Sequence, residues 1–171
     1  RERVNSHLEN YLSSIPSSPN SDIELRDVMK YSVLAGGKRF RPILTYTVAS
    51  LYDSEIEKAD SCASAIELIH IYSLIHDDLP AMDNDDIRHN QPSNHKVFGE
   101  AQAILAGDGL TALAFSLISN DPLIIADTKI KLLVLLSTSS YAMACFLYTP
   151  PGQRHRTRLL IPSFPQKKKT K

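Results

Sequence analysis

No aspartate or glutamate follows Asp127, so roughly the last quarter of this 171-residue chain supplies no carboxylate at all. Cysteine is scarce too. Cys62 and Cys145 have no metal-ligand spacing and both lie in largely apolar sequence. Free buried thiols in a cytoplasmic protein are therefore expected, rather than a disulfide framework. No run alternates in the manner of a half-buried strand, no unit repeats, and no long linker interrupts the first 148 residues. These absences exclude sheet architectures and solenoids and leave an all-α chain. No signal-peptide pattern is present, although the chain begins at Arg1 rather than methionine. Leu132 to Leu147 is shorter than a typical bilayer span and contains Ser137, Thr138, Ser139 and Ser140. A core helix, not a membrane span, is expected there.

What is present reads as helices around one core, in a length suited to one domain. Val4, Leu8, Tyr11 and Leu12 mark an amphipathic first helix. Ser21 with Glu24 makes a capping box for a second helix ending near Leu34. Pro42 to about Leu51 gives a third. From Ala63 to His76 the chain is apolar nearly all round, the mark of a buried helix. Val97 to Leu117, rich in alanine and with Gly99, Gly107 and Gly109 placed for close helix contact, gives a fifth; Ile130 to Leu147 gives a sixth.

The fourth helix carries a polar stripe. Glu67, His70, Ser73 and Asp77 recur at spacings of three, three and four, on one face. Such a stripe on a buried helix must find internal partners or line a wet cavity. The stripe runs into five aspartates within ten residues: Asp77, Asp78, Asp83, Asp85 and Asp86. Carboxylates at that density repel one another unless something positive sits among them. An EF-hand loop is excluded, because its sixth and twelfth positions would be Met82 and Arg88 rather than Gly and Glu. Mg²⁺ fits, since it binds through one or two carboxylates together with substrate phosphates. Asp77 and Asp83 are too far apart to share a face of one unbroken helix. Pro80 biases the chain away from helix and lets both turn toward one ion.

Upstream, Gly36-Gly37-Lys38-Arg39-Phe40-Arg41-Pro42 joins two helices. The glycines can end one and the proline open the next. Lys38, Arg39 and Arg41 between them make an anion site, beside amides freed by a helix start. A basic loop and an acidic loop in one small chain suit a ligand with a diphosphate head, held directly by one and through metal by the other.

The segments GGKRFRP, IELIHIYSLIHDDLPAMD and VFGEAQAILAGD, in this order and spacing, resemble the trans-prenyl diphosphate synthases, and among them the bacterial farnesyl diphosphate synthases. The resemblance runs from about Leu25 to Ile118, with a weaker echo from Ser137 to Ala144. It implies the N-terminal half of the isoprenoid synthase helical bundle. It implies Mg²⁺ as cofactor, with Asp77 and Asp83 as ligands and Asp78 adjacent in the catalytic cluster. Lys38, Arg41 and His70 fall where the family binds isopentenyl diphosphate, and Arg88 where it contacts the allylic diphosphate (dimethylallyl or geranyl diphosphate). Tyr72, with Ser73 beside it, falls where product length is set, and an aromatic there implies a fifteen-carbon product. A twenty-carbon product is the alternative, because plant-like synthases share the DDx₄D spacing. The implied chemistry is loss of diphosphate from the allylic substrate and alkylation of isopentenyl diphosphate by the cation. Proton loss to the departed diphosphate then follows. A homodimer is implied as well.

Two departures stand against that pattern. Where the family has paired arginines and a glycine, this chain has Arg88-His89-Asn90, so His89 replaces a cation at the isopentenyl diphosphate site. The family's second aspartate-rich motif is also missing, which implies an impaired or inactive enzyme, a non-catalytic remnant, or a subunit that partners an intact synthase. Residues 149–171 form a basic, proline-rich tail with seven of the nineteen Lys and Arg residues. The preceding 148 residues therefore hold twelve basic and nineteen acidic residues, a net of −7, hidden in an overall charge of zero. The tail reads as the product of a frameshift or truncation, outside the helical domain of residues 1–148. A basic arm for nucleic acid or an acidic membrane is the alternative, and it lacks aromatic interleaving or a folded basic module.

Overall fold

In the computed structural model, the structure describes residues 1–16, 24–52 and 55–148. Seven α-helices are found there: α1 (Glu2–Ser14), α2 (Leu25–Val33), α3 (Phe40–Leu51), α4 (Asp60–Asp77), α5 (Asn94–Phe98), α6 (Glu100–Asn120) and α7 (Ala126–Tyr148). A single 3-10 turn, Ile56–Ala59, leads into α4. The all-α expectation holds, and α4 is the axis of the assembly. It packs chiefly on α6 and also touches α1, α2, α3 and α7. Ala63, Ala65, Leu68, Ile69, Ile71 and Ile75 are all buried, as an apolar circumference requires.

The boundaries differ from the sequence reading in ways that have physical causes. The fifth segment is two helices, not one, because Gly99 adopts φ +92 and ends α5 before α6 begins. Its role is therefore backbone geometry rather than close helix contact. Gly107 does serve close contact: a side-chain carbon there would fall 2.2 Å from the His76 ring of α4. The capping box is not tested, because Ser21 lies outside the described residues; Glu24 is the N-cap of α2 and makes no side-chain cap hydrogen bond. The basic tail 149–171 lies outside them as well.

One feature of regular structure was not legible as alternation. Ile87–Arg88 and Gln91–Pro92 pair as a two-residue antiparallel hairpin, Ile87 opposite Pro92 and Arg88 opposite Gln91. His89 and Asn90 form its turn, both with positive φ (52° and 64°), the left-handed geometry that matches strand twist in tight hairpins. The cysteines also depart from expectation. Cys62 is half-buried, with its thiol pushed up by burial, but Cys145 is exposed on α7 rather than buried. α6 is long and apolar enough to cross a membrane by composition alone. Here Ala103, Ala106, Leu110 and Ala114 are buried in the helical core.

Candidate functional site

The turn from α2 to α3 bends through positive φ at Gly36 (+100°), Gly37 (+113°) and Arg39 (+52°). That path sends neighbouring basic side chains in different directions. Lys38 and Arg41 are exposed, whereas Arg39 is only 4% exposed. Its Nη1 donates to Glu67 Oε1 at 2.9 Å, its Nε to Asn5 Oδ1 at 2.8 Å, and its Nη2 to the Val33 carbonyl. Arg39 is thus committed to buried partners, although it still forms part of the wall of the pocket at this turn. It is a tie between α1, α2 and α4. The same contact answers half of the polar stripe question: Glu67 is a satisfied core carboxylate. Ser73 is buried likewise, and its hydroxyl donates to the His70 carbonyl at 2.6 Å.

What remains around the turn is a basic pocket of about 380 Å³ lined by Lys38, Phe40, Arg41, His70, Leu74 and His89. Arg41 and His70 also line a second, apolar groove of about 260 Å³. Ile66, Ile69, Ile118, Leu132 and Leu136, from α4, α6 and α7, are among the apolar side chains of its wall. A charged pocket and a hydrocarbon groove thus meet at two shared side chains. Phe40 and Leu74 were not foreseen as lining, and the neighbouring motif residues were the signal for both.

Burial, the positive field of Arg41 and the nearby His89 push the His70 imidazole down to about 4, so it is neutral near pH 7. Its folded value lies below the unfolded one. Stability from keeping it neutral is therefore complete above about pH 6.5 and is lost as pH falls toward 4. Over that window the wild-type chain is expected to lose on the order of 2 kcal/mol more than His70→Gln, after allowance for solvent at the pocket mouth. Urea titrations of both proteins across that pH range check this; parallel pH profiles would refute it.

The aspartate cluster sits at the C-terminus of α4. Asp77 is the last helical residue, and a turn through Pro80 folds back so that the Asp83 N–H donates to the Asp77 carbonyl at 2.9 Å. The break expected from Pro80 is present, and it makes the backbones of Asp77 and Asp83 neighbours. Positive charge does sit among the carboxylates. Arg88 grips Asp78 through Nε (3.1 Å) and Nη2, and reaches Asp85 at 3.2 Å. Lys96 pairs with Asp86 at 2.8 Å. Asp78 is 2% exposed, and burial raises its carboxyl above the usual range even though Arg88 pulls the other way. Carboxylates such as those of Asp77 and Asp83 are the ligand type that suits Mg²⁺, and among the described residues no group of three or more His, Cys, Asp or Glu is gathered as a metal site.

Tyr72 is half-buried and packs edge-on against His76, with ring centroids 5.2 Å apart. Neither Tyr72 nor Ser73 lines the basic pocket or the apolar groove.

The fold and this pairing of a basic turn with an aspartate-rich helix end define a helical protein of the isoprenoid synthase type. The polyprenyl synthetase family model matches residues 22–146, and the chain belongs to that family. Farnesyl diphosphate synthase of Haemophilus influenzae is 44% identical over 135 residues, covering 79% of this chain and 45% of the relative. Large subunit 1 of the chloroplastic heterodimeric geranylgeranyl pyrophosphate synthase of Arabidopsis thaliana is 49% identical over 114 residues, 67% of this chain and 29% of its own length. The crystal structure of a geranyltransferase from Legionella pneumophila superimposes with a TM-score of 0.78 at 41% identity, covering 86% of this chain and 53% of that one. The match thus spans between 29% and 53% of the length of these relatives.

Proposed function

We propose that this chain carries the diphosphate-binding half of a prenyltransferase that condenses isopentenyl diphosphate with an allylic diphosphate. The observation that supports it most is the junction of the basic pocket and the apolar groove at Arg41 and His70. Lys38, Arg41, His70 and His89 hold the diphosphate of isopentenyl diphosphate, and Arg88 meets the allylic diphosphate by leaving Asp85. Asp77 and Asp83 hold Mg²⁺, with Asp78 positioned by Arg88. When bound, the ion stabilises negative charge on a leaving diphosphate. The groove wall keeps water from the reacting carbon.

The fifteen-carbon product is the first reading, in line with the Haemophilus influenzae relative; the Arabidopsis thaliana relative keeps a twenty-carbon product as the second. The name of that relative also favours a role as one subunit of a two-chain enzyme. No carboxylate after Asp127 is available to complete a metal cluster from a facing helix. The 171 residues alone are therefore expected to bind without turnover. Purified chain is incubated with Mg²⁺, isopentenyl diphosphate and geranyl diphosphate, with binding followed by calorimetry and products by chromatography. Isopentenyl diphosphate should bind, and no prenyl product should form. A fifteen-carbon product would overturn the binding-only reading, and absence of any diphosphate binding would overturn the site assignment.

A further inference from the structure

The basic pocket contains two groups whose charge is not fixed. His70 enters from α4, and His89 from the hairpin turn. The His89 Nε2 lies 3.6 Å from the position a side-chain carbon at Gly37 would take, so the ring sits in ordinary van der Waals reach of the turn. The other charged groups of the pocket come from each element packed around it. Lys38 and Arg39 belong to the α2–α3 turn, Arg41 to the first turn of α3 and Glu67 to α4, while Arg88 of the hairpin acts on His70 from outside the pocket wall. Glu67 is engaged by Arg39, and Arg88 by Asp78 and Asp85. The field felt by the two imidazoles is therefore dominated by cations. Without a ligand, burial first and that field second keep His70 in its neutral form.

We propose that the pocket takes a diphosphate together with a proton, received by the His70–His89 pair, so that this chain binds the anion more tightly as pH falls. A bound diphosphate reverses the sign of the local field. The proximity that disfavours imidazolium in the empty pocket then favours it. The bound form holds more protons than the free form at every pH between the two sets of pKa values. Affinity consequently rises as pH drops through the bound value and levels off near the free value, about 4 for His70. An arginine at position 89 would carry fixed charge and no such dependence, so His89 sets the pH range over which the site fills.

The inference rests on the diphosphate reading of the pocket, and its test separates the two. The 171-residue chain is titrated with inorganic pyrophosphate in the absence of divalent metal. The titration spans about pH 6 to 8, in two buffers of different ionisation heat, where imidazoles respond. Wild type is expected to take up protons on binding. Affinity should tighten up to about tenfold per pH unit for each proton taken up. His89→Arg should bind more tightly at about pH 8 and take up fewer protons. His89→Asn, which keeps the left-handed turn, should lose affinity at about pH 6. His70→Gln removes the other acceptor. The titration of pyrophosphate itself is common to all four proteins and cancels in the comparison. Equal proton uptake in wild type, His89→Arg and His70→Gln would overturn the proposal while leaving the site intact. No pyrophosphate binding at any pH would overturn the diphosphate reading, and this inference with it.

Discussion

Arg39→Met is expected to destabilise the chain by about 3–5 kcal/mol, the largest loss from any single charged side chain described. The reason is what the substitution leaves behind. Glu67 is 3% exposed and loses the guanidinium that offsets its charge, and Asn5 and the Val33 carbonyl lose their donors. An uncompensated buried carboxylate costs far more than the net worth of the pair. Against a total stability of about 5–15 kcal/mol, the loss approaches the whole. Removing the partner as well should restore most of it, so Arg39→Met with Glu67→Leu is expected to lie much closer to wild type. Arg3→Ala is the contrast. Arg3 pairs with Asp60 at 2.7 Å and Glu57 at 3.2 Å, but its side chain is 39% exposed, so about 1 kcal/mol or less is expected. Urea denaturation of wild type, Arg39→Met, Glu67→Leu and the double variant gives the cycle. A small loss in Arg39→Met, or no recovery in the double variant, would show that Glu67 is not the carboxylate left stranded.

Arg39 also shows where sequence reasoning stops. Three basic residues within four positions read as one anion site, because composition carries no direction. Direction comes from backbone dihedrals, and the positive φ at Gly36, Gly37 and Arg39 turns the middle one inward. A trace of this was available: Glu67, on a helix otherwise apolar, required a buried cation from somewhere. The helices themselves were readable because their signals are periodic and long. α4 and its abrupt end at Asp77 follow from an apolar circumference and Pro80. The His89-Asn90 hairpin was not readable, because two residues per strand show no alternation. Arg88 and Lys96 among the aspartates were missed for a related reason. The pairing of Arg88 with Asp78 depends on that hairpin folding back, and Lys96 lies beyond it in α5. The exposure of Cys145 reflects the face of α7 on which it lies, which apolar neighbours in sequence do not specify.

Asp77→Asn and Asp83→Asn should separate metal-dependent from metal-independent binding. Even partners one shell removed from a metal are worth about 10–100-fold in affinity, so loss of a direct carboxylate ligand should cost more than about 100-fold. Mg²⁺-dependent binding of geranyl diphosphate is therefore expected to vanish in either variant. Metal-free pyrophosphate binding at Lys38 and Arg41 should stay unchanged. Lys38→Ala with Arg41→Ala should show the reverse. Asp86→Asn is a suitable control, since exposed Asp86 pairs with Lys96 rather than with Arg88. Stability supplies a second, independent sign. A carboxylate at the end of α4 faces the negative pole of the helix, which is unfavourable by about 0.3–1 kcal/mol. Asp77→Asn removes that repulsion together with the attraction of Asp77 to Arg88, so the two changes oppose each other. Mg²⁺ with geranyl diphosphate should raise the melting temperature of wild type but not of Asp77→Asn. A carboxylate held there for packing would give another result: lower stability in Asp77→Asn, with ligand binding left intact.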